Sequence, residues 1–179
     1  MEENEVIEEN DAPTTKSVAK KWGLINGVIA IALFIIYDIL NVMGESWVSF
    51  IGLVIFVVIV VLAHNEFKKE GDGYMSYGQG LGLGTLASLI SAIISSAFTF
   101  IYVSFINTEL PDFLRERQIE SMLESGQSQS QIDQAMPFLE MTTSPVAMVI
   151  FGVVFGVFFG FLVSLLVSAF TKNQAPELR

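Results

Sequence analysis

Four long apolar runs alternate with polar segments along the chain, at about residues 22–43, 47–63, 80–106 and 146–170. A helix rises 1.5 Å per residue, so about 20 apolar residues cross a hydrocarbon core of roughly 30 Å. Runs of this length are typical of transmembrane helices. The pattern therefore predicts an all-α integral membrane protein, a four-helix bundle formed by residues 20–173.

Polar segments make up the rest of the chain. Residues 1–19 are mostly acidic and polar. Such a segment buries too little apolar surface to offset the entropy lost on ordering, so we predict a disordered N-terminal tail. Residues 174–179 are predicted to form a short C-terminal tail.

The segment 107–145, between the third and fourth apolar runs, is too long to be a simple turn. Pro111 stands in the first turn of a predicted helix that Gly126 ends. Ser130 with Asp133 resembles a capping box at the start of a second helix. We expect two short amphipathic helices in this outer loop, lying on the membrane surface or over the mouth of the bundle.

Positive charge is distributed unevenly between the two sides of the predicted bundle. One side carries most of the basic residues: Lys16, Lys20, Lys21, Lys68, Lys69, Lys172 and Arg179. The other side has only Arg115 and Arg117, both in the outer loop. Because cytoplasmic loops carry an excess of Lys and Arg, we expect both termini to be cytoplasmic.

Two of the predicted spans carry a small residue at every fourth position, an arrangement we call a ladder. The third-span ladder is Gly80, Gly84, Ser88, Ala92 and Ser96, and the fourth-span ladder is Gly152, Gly156, Gly160, Ser164 and Ser168. In lipid, small residues let two helix backbones approach closely. We expect the two ladders to face each other. The alternatives are that one ladder forms a homo-oligomer, or that the glycines are merely tolerated. The first two spans are expected to lack such a ladder.

Composition narrows the possible chemistry. The chain is 52% apolar and 16% charged, with a mean hydropathy of +0.58, as expected for a membrane protein. Its net charge of −10 argues against a nucleic-acid partner, because phosphate binding requires clustered Lys and Arg. There is no cysteine and only one histidine, His64. We therefore predict no catalytic residues, no metal site and no cofactor.

Asp38 is the ionisable residue within the first predicted span, and such residues are candidates for function. It is a candidate proton or cation site. The alternative is that Asp38, near the outer end of the span, reaches interfacial water. His64, at the cytoplasmic end of the second span, is expected to be an ordinary interfacial polar residue.

From Gly71 onward the sequence resembles a known family. The segment Gly73–Gly80 (GYMSYGQG) leads into a small-residue span, an acidic loop follows, and the fourth span ends Ala169-Phe170-Thr171-Lys172. This order resembles the bacterial membrane family catalogued as domain of unknown function 4199, over about Lys20 to Asn173. The resemblance implies four spans in a bacterial cytoplasmic membrane and carries no established activity. The acidic tail is additional to that family pattern.

These features favour a non-enzymatic, small bacterial inner-membrane protein that acts as a structural or interaction protein. Its partners are expected to be membrane lipid and either a second copy of itself or another membrane protein, through helix association. The alternative is a small transporter or channel subunit that uses Asp38. Burial of Asp38 against a water-accessible cavity would favour that alternative, whereas Asp38 at the headgroups would exclude it.

Overall fold

The computed structural model describes residues 13–174, and six helices account for most of them. They are α1 (Thr15–Ile39), α2 (Ser46–Glu70), α3 (Tyr77–Ile101), α4 (Leu110–Glu124), α5 (Gln129–Thr143) and α6 (Pro145–Thr171), with α3 continuing as a π-helical segment (Tyr102–Ile106). Of these, α1, α2, α3 and α6 are long and apolar enough to cross a membrane. The predicted all-α class with four candidate spans is confirmed.

The first helix begins earlier than the apolar pattern predicts. Thr14 accepts a hydrogen bond from the backbone of Ser17, and the Ser17 side chain bonds back to Thr14, which forms a capping box. This cap starts the helix at Thr15, so the assignment of residues 15–19 to a disordered tail was wrong. The rest of the predicted acidic tail, residues 1–12, lies outside the described residues.

The second and third helices also extend beyond their apolar runs. At the end of α2, Lys68 and Lys69 lie in the last turn, where positive charge interacts favourably with the helix dipole. At the start of α3, Ser76 and Gln79 form a capping box. Basic residues at the end of α2 and a capping box at the start of α3 therefore extend both helices into the short connection between them.

The connection between α3 and α6 contains the helices α4 and α5. Pro111 lies in the first turn of α4, and Gly126 takes a φ of 79° in the turn that follows it. The capping box of α5 is formed by Ser128 and Gln131, so its assignment to Ser130 and Asp133 was wrong. The Gln131 amide oxygen accepts from the backbone of Ser128 at 2.8 Å, which starts the helix two residues earlier.

We call the end of the bundle where α1 begins and α6 ends the terminal end, and the opposite end, which carries α4 and α5, the loop end. At the terminal end, Asn173 and Met75 exchange two backbone hydrogen bonds, of 2.7 and 2.9 Å, so the chain leaving α6 lies beside the start of α3. The loop end carries α4 and α5. The two closest helix pairs are α3 with α6 and α3 with α1, while α2 makes smaller contacts with all three of these helices. The helix α3 is therefore the centre of the fold.

The ladders of α3 and α6 face each other in antiparallel register. A Cβ atom added to Gly156 would lie 2.9 Å from the Cβ of Ala92, and one added to Gly152 would lie 2.7 Å from Ser96 Oγ. The complete pairing is Gly80 with Ser168, Gly84 with Ser164, Ser88 with Gly160, Ala92 with Gly156, and Ser96 with Gly152. Backbone contact this close leaves no room for larger side chains, so both ladders are used inside one chain.

A third set of small residues, which was not predicted from the sequence, joins α1 to the other side of α3. A Cβ atom on Gly23 would lie 2.8 Å from the carbonyl oxygen of Ala87, and one on Gly27 would lie 3.1 Å from Ile94 Cβ. Ala19, one turn earlier, is fully buried. The expectation that the first two spans lack a ladder was therefore wrong for α1, whose shorter series Ala19-Gly23-Gly27 has the same spacing.

The helix α2 is held against the bundle along only part of its length. Its buried residues lie in the half toward the terminal end: Ile59, Val60, Ala63, His64 and Phe67. In the half toward the loop end, Phe50, Val54 and Val58 are about half exposed or more. This half of α2 therefore packs more loosely against the other helices.

Replacing Gly160 with Ala tests the α3–α6 contact. Ala normally stabilises a helix relative to Gly by up to about 1 kcal/mol. At Gly160 the new Cβ would collide with Ser88 on α3, so we expect a net destabilisation of about 1–3 kcal/mol, as for other overpacked sites. The measurement is the thermal unfolding midpoint in detergent.

Gly82→Ala is the matched control, because a Cβ on Gly82 of α3 meets nothing within 4 Å. It should leave the midpoint unchanged or raise it. Equal midpoints for the two variants would show that the ladder residues are not in close contact.

Candidate functional site: a cavity between the four long helices

A half-enclosed cavity of about 550 Å³ lies between the four long helices. The half of α2 toward the loop end forms one side, from Ser49 to Phe56. The facing residues come from α1, α3 and α6, including Asn26 near the middle of α1 and Ser91 near the middle of α3. Its volume is within the range of about 300–1,000 Å³ found for small-molecule sites.

Uncharged polar side chains form the wall of the cavity contributed by α1 and α3. The Asn26 amide donates to Ser91 Oγ at 2.7 Å. Ser88 and Ser95 donate to backbone carbonyls of α3, at 2.7 and 3.3 Å. Within residues 13–174, this is the only hydrogen bond of the Asn26 side chain, so its amide oxygen and its second amide hydrogen have no partner. The wall therefore retains unused hydrogen-bonding capacity at the depth of the middle of the spans.

Aromatic and aliphatic side chains form the rest of the lining. Phe50 and Phe56 of α2 and Phe159 of α6 border the cavity, with Val163 toward the terminal end. The Phe56 ring reaches to 3.6 Å from the Cβ position of Gly160, where it closes the floor of the cavity. The site is thus polar on one side and aromatic on the other.

A second cavity of about 480 Å³ lies toward the loop end, where Gln118 of α4 and Thr142 of α5 line it. It shares Ser95 and Gly152 with the first cavity, so the two adjoin. An ion pair tethers α4 above this region, since Arg117 Nη2 lies 3.0 Å from Glu45 Oε1 in the connection between α1 and α2. The polar lining therefore continues toward the loop end.

His64 lies at the terminal end and is fully buried, contrary to its expected interfacial position. Its Nε2 donates to the Gly80 carbonyl at 3.0 Å, because a carbonyl oxygen only accepts. Its Nδ1 lies 2.7 Å from the Thr171 hydroxyl. In this way His64 links α2 to both α3 and α6. A buried polar group with satisfied partners contributes to the specificity of packing, so His64 fixes this half of α2.

Asp38 lies one residue before the end of α1, outside the lining of both cavities. The Tyr102 hydroxyl donates to Asp38 Oδ2 at 2.6 Å, and the Asn107 amide donates to both carboxylate oxygens at 3.1 Å. The carboxylate is therefore engaged in joining α1 to the end of α3. Its position at the helix end, away from a cavity, favours the interfacial alternative over an ion site.

The residues that line the cavity only partly coincide with those predicted from the sequence. Five ladder residues, Ser88, Ala92, Gly152, Gly156 and Gly160, line the cavity in addition to packing α3 against α6. Asn26, Ser91 and Ser95 were missed as site residues. The available signal was an amide in the middle of an apolar span, together with serines on α3 beside the ladder. No cluster of three or more His, Cys, Asp or Glu suited to a metal occurs within residues 13–174.

Replacing His64 with Leu tests the link between α2, α3 and α6. The similar volume of Leu preserves packing but removes the hydrogen bonds of the ring to the Gly80 carbonyl and to Thr171, whose hydroxyl still bonds to the Val167 carbonyl. Each such hydrogen bond contributes about 0.5–1.5 kcal/mol, so we expect a lower thermal midpoint in detergent. The control is Asn65→Leu at the exposed neighbouring position, which should change the midpoint little. Equal effects of the two changes would contradict the assigned role of His64.

Comparison with known proteins identifies the family of this chain. No curated protein and no solved structure matches the chain. The family model described as "Protein of unknown function (DUF4199)" matches residues 21–173, which include three of the apolar helices in full and α1 from Lys21 onward. This chain, in whose described part α3 packs between α1 and α6, belongs to the DUF4199 family.

Proposed function

We propose that this multi-pass membrane protein is a non-enzymatic binding protein that holds a small, uncharged, lipid-soluble molecule between its helices. The observation that carries the proposal is the cavity between α2 and the other three long helices, with Asn26 and Ser91 on its wall. Uncommitted polar groups at this depth in a membrane bundle are costly unless a partner satisfies them. A bound molecule would supply that partner.

The lining of the cavity supports binding rather than catalysis. Among the described residues that line the cavity, the side chains are those of Asn, Ser, Gly, Ala, Val, Leu and Phe, and none of them is a general base that could activate a serine hydroxyl. General acid–base catalysis requires a group that exchanges protons near neutral pH. The same lining favours an uncharged ligand, because an ion in a low-dielectric site needs a counter-charge.

Because both ladders pack against each other within one chain, they limit how this protein can associate with a partner. Since Gly156 faces Ala92 and Gly152 faces Ser96 within one chain, neither ladder is free to join a second copy. Association with another copy or another membrane protein would have to use the lipid-facing surfaces of the long helices, which carry exposed apolar side chains outside the ladders. The proposal therefore assigns the ladders to the construction of the cavity, with membrane lipid as the surrounding partner.

We further propose a bacterial inner-membrane location with the terminal end in the cytoplasm. Lys21 reaches Glu66 at 2.6 Å, and Lys68 donates to the Thr171 carbonyl at 3.0 Å, so the lysines of α1 and α2 share one end. The loop end carries Arg115 and Arg117 among acidic residues. This asymmetry supports cytoplasmic termini by the positive-inside rule.

Single cysteines test this orientation, because the chain has none of its own. We expect Ser125→Cys, in the turn between α4 and α5, to react in intact cells with a membrane-impermeant maleimide. Asp72→Cys, in the connection between α2 and α3, should react only after the membrane is permeabilised. The reverse labelling pattern would contradict the proposed topology.

Photolabelling in liposomes tests the binding proposal. The probe is azioctanol, an uncharged alcohol that carries a photoreactive diazirine, and adducts are located by mass spectrometry. We expect adducts at cavity residues such as Asn26 and Phe56 to saturate with probe concentration. Adducts at Leu166, which faces outward on α6, should rise without saturation, as for simple lipid partition.

The same substitution at two glycines, one in the cavity lining and one outside it, gives a matched pair of variants. Gly52→Leu adds a side chain at the cavity lining, where a Cβ meets nothing within 4 Å, so it should reduce cavity adducts several-fold without disturbing the fold. Gly82→Leu makes the same change at an open position outside the cavity and should leave the adducts unchanged. Unsaturable labelling at every position would overturn the binding proposal.

A further inference from the structure

We infer that the molecule held in the cavity is a flat ring bearing carbonyl groups, a lipid-soluble quinone, bound without any change in its oxidation state. This inference rests on the proposed function and specifies its ligand class. It follows from the polar wall of the cavity, its aromatic residues and its depth within the bundle.

The polar wall matches carbonyl oxygen. A ligand carbonyl only accepts hydrogen bonds, so it requires donors. One amide hydrogen of Asn26 is directed at the Ser91 hydroxyl oxygen, and its second amide hydrogen is unused. The Ser91 hydroxyl accepts the first bond and keeps its own hydrogen available for donation. Ser49 of α2 adds a hydroxyl on the opposite side of the cavity. Donors on two sides suit a ring with carbonyl groups at opposite positions.

The aromatic side chains match the ring itself. Phe50, Phe56 and Phe159 border the cavity from α2 and α6. Aromatic pairs in offset-stacked or edge-to-face geometry contribute about 0.5–1.5 kcal/mol beyond the area they bury. The flat surface for a planar group comes from these Phe rings, since the Cβ positions of Gly156 and Gly160 face Ala92 and Ser88 of α3.

The position of the cavity matches a molecule that resides in the hydrocarbon core. Asn26 is close to the middle of the 25-residue helix α1, and Ser91 is close to the middle of the 25-residue helix α3. A phospholipid headgroup is charged and stays at the interface, so it does not reach this depth. A phospholipid acyl chain does reach it, but a hydrocarbon chain leaves the amide and hydroxyls of the wall without partners.

Competition against azioctanol distinguishes these occupants. The competitors are a benzoquinone with a decyl tail, decylbenzene, and an alkane of similar length, compared at equal mole fraction in the liposome membrane. We expect the quinone to halve adduct formation at Phe56 at a mole fraction about tenfold lower than decylbenzene, since one or two hydrogen bonds supply about that factor. Adducts at lipid-facing Leu166 serve as the internal reference for light absorbed by the quinone.

Two variants test which residues of the cavity recognise the quinone. Asn26→Leu should remove the advantage of the quinone over decylbenzene, while leaving competition by the alkane unchanged. Because Asn26 also bonds to Ser91, Ser49→Ala provides a variant at an exposed position of α2 that leaves the packing of α3 intact. It should weaken quinone competition about threefold and leave that of decylbenzene unchanged.

The outcomes separate this inference from the proposed function. Saturable labelling with equal competition by all three compounds would overturn the quinone assignment and leave a cavity that binds hydrocarbon. A quinone advantage that survives both Asn26→Leu and Ser49→Ala would also overturn it, because recognition would then lie elsewhere. Absence of saturable labelling in the wild-type protein would overturn the proposed function itself.

Discussion

Close backbone contact on both sides of α3 is the constraint on which the rest of this structure depends. Lipid tails are as apolar as the helix surfaces, so burial of apolar area does not drive helices together within a bilayer. Packing has to come from van der Waals contact at short range, which Gly156 against Ala92 and Gly23 against Ala87 permit. The helices α1, α3 and α6 consequently form one unit whose closest approaches are made through small residues.

The remaining helix, α2, is attached to that unit unevenly. Its half toward the terminal end is fixed by buried residues such as Val60 and by the hydrogen bonds of His64 to Gly80 and Thr171. The other half has no comparable set of buried residues and stands beside open space. The cavity is a consequence of this difference, because small residues that bring α3 and α6 together also leave unfilled volume between them and α2.

Polar residues within the spans serve two separate purposes. At the ends, His64 and Asp38 are paired with partners on neighbouring helices and fix how the helices meet. Near the middle, Asn26 and Ser91 pair with each other and still present unused donors to a cavity. Only the second arrangement suits a ligand, and for that reason the proposed binding site lies at mid-membrane rather than at the carboxylate of the first span.

The sequence by itself determined the helices, their apolar character and the ladders of α3 and α6, because periodicity and caps act between residues a few positions apart. Helix ends were less predictable, as Thr14 and Ser128 show, since several residues competed as caps. Only the tertiary structure decided that α1 packs on α3, that His64 is buried and that a cavity borders α2. Those outcomes depend on which helix faces meet across long sequence separations, and no local pattern specifies that choice.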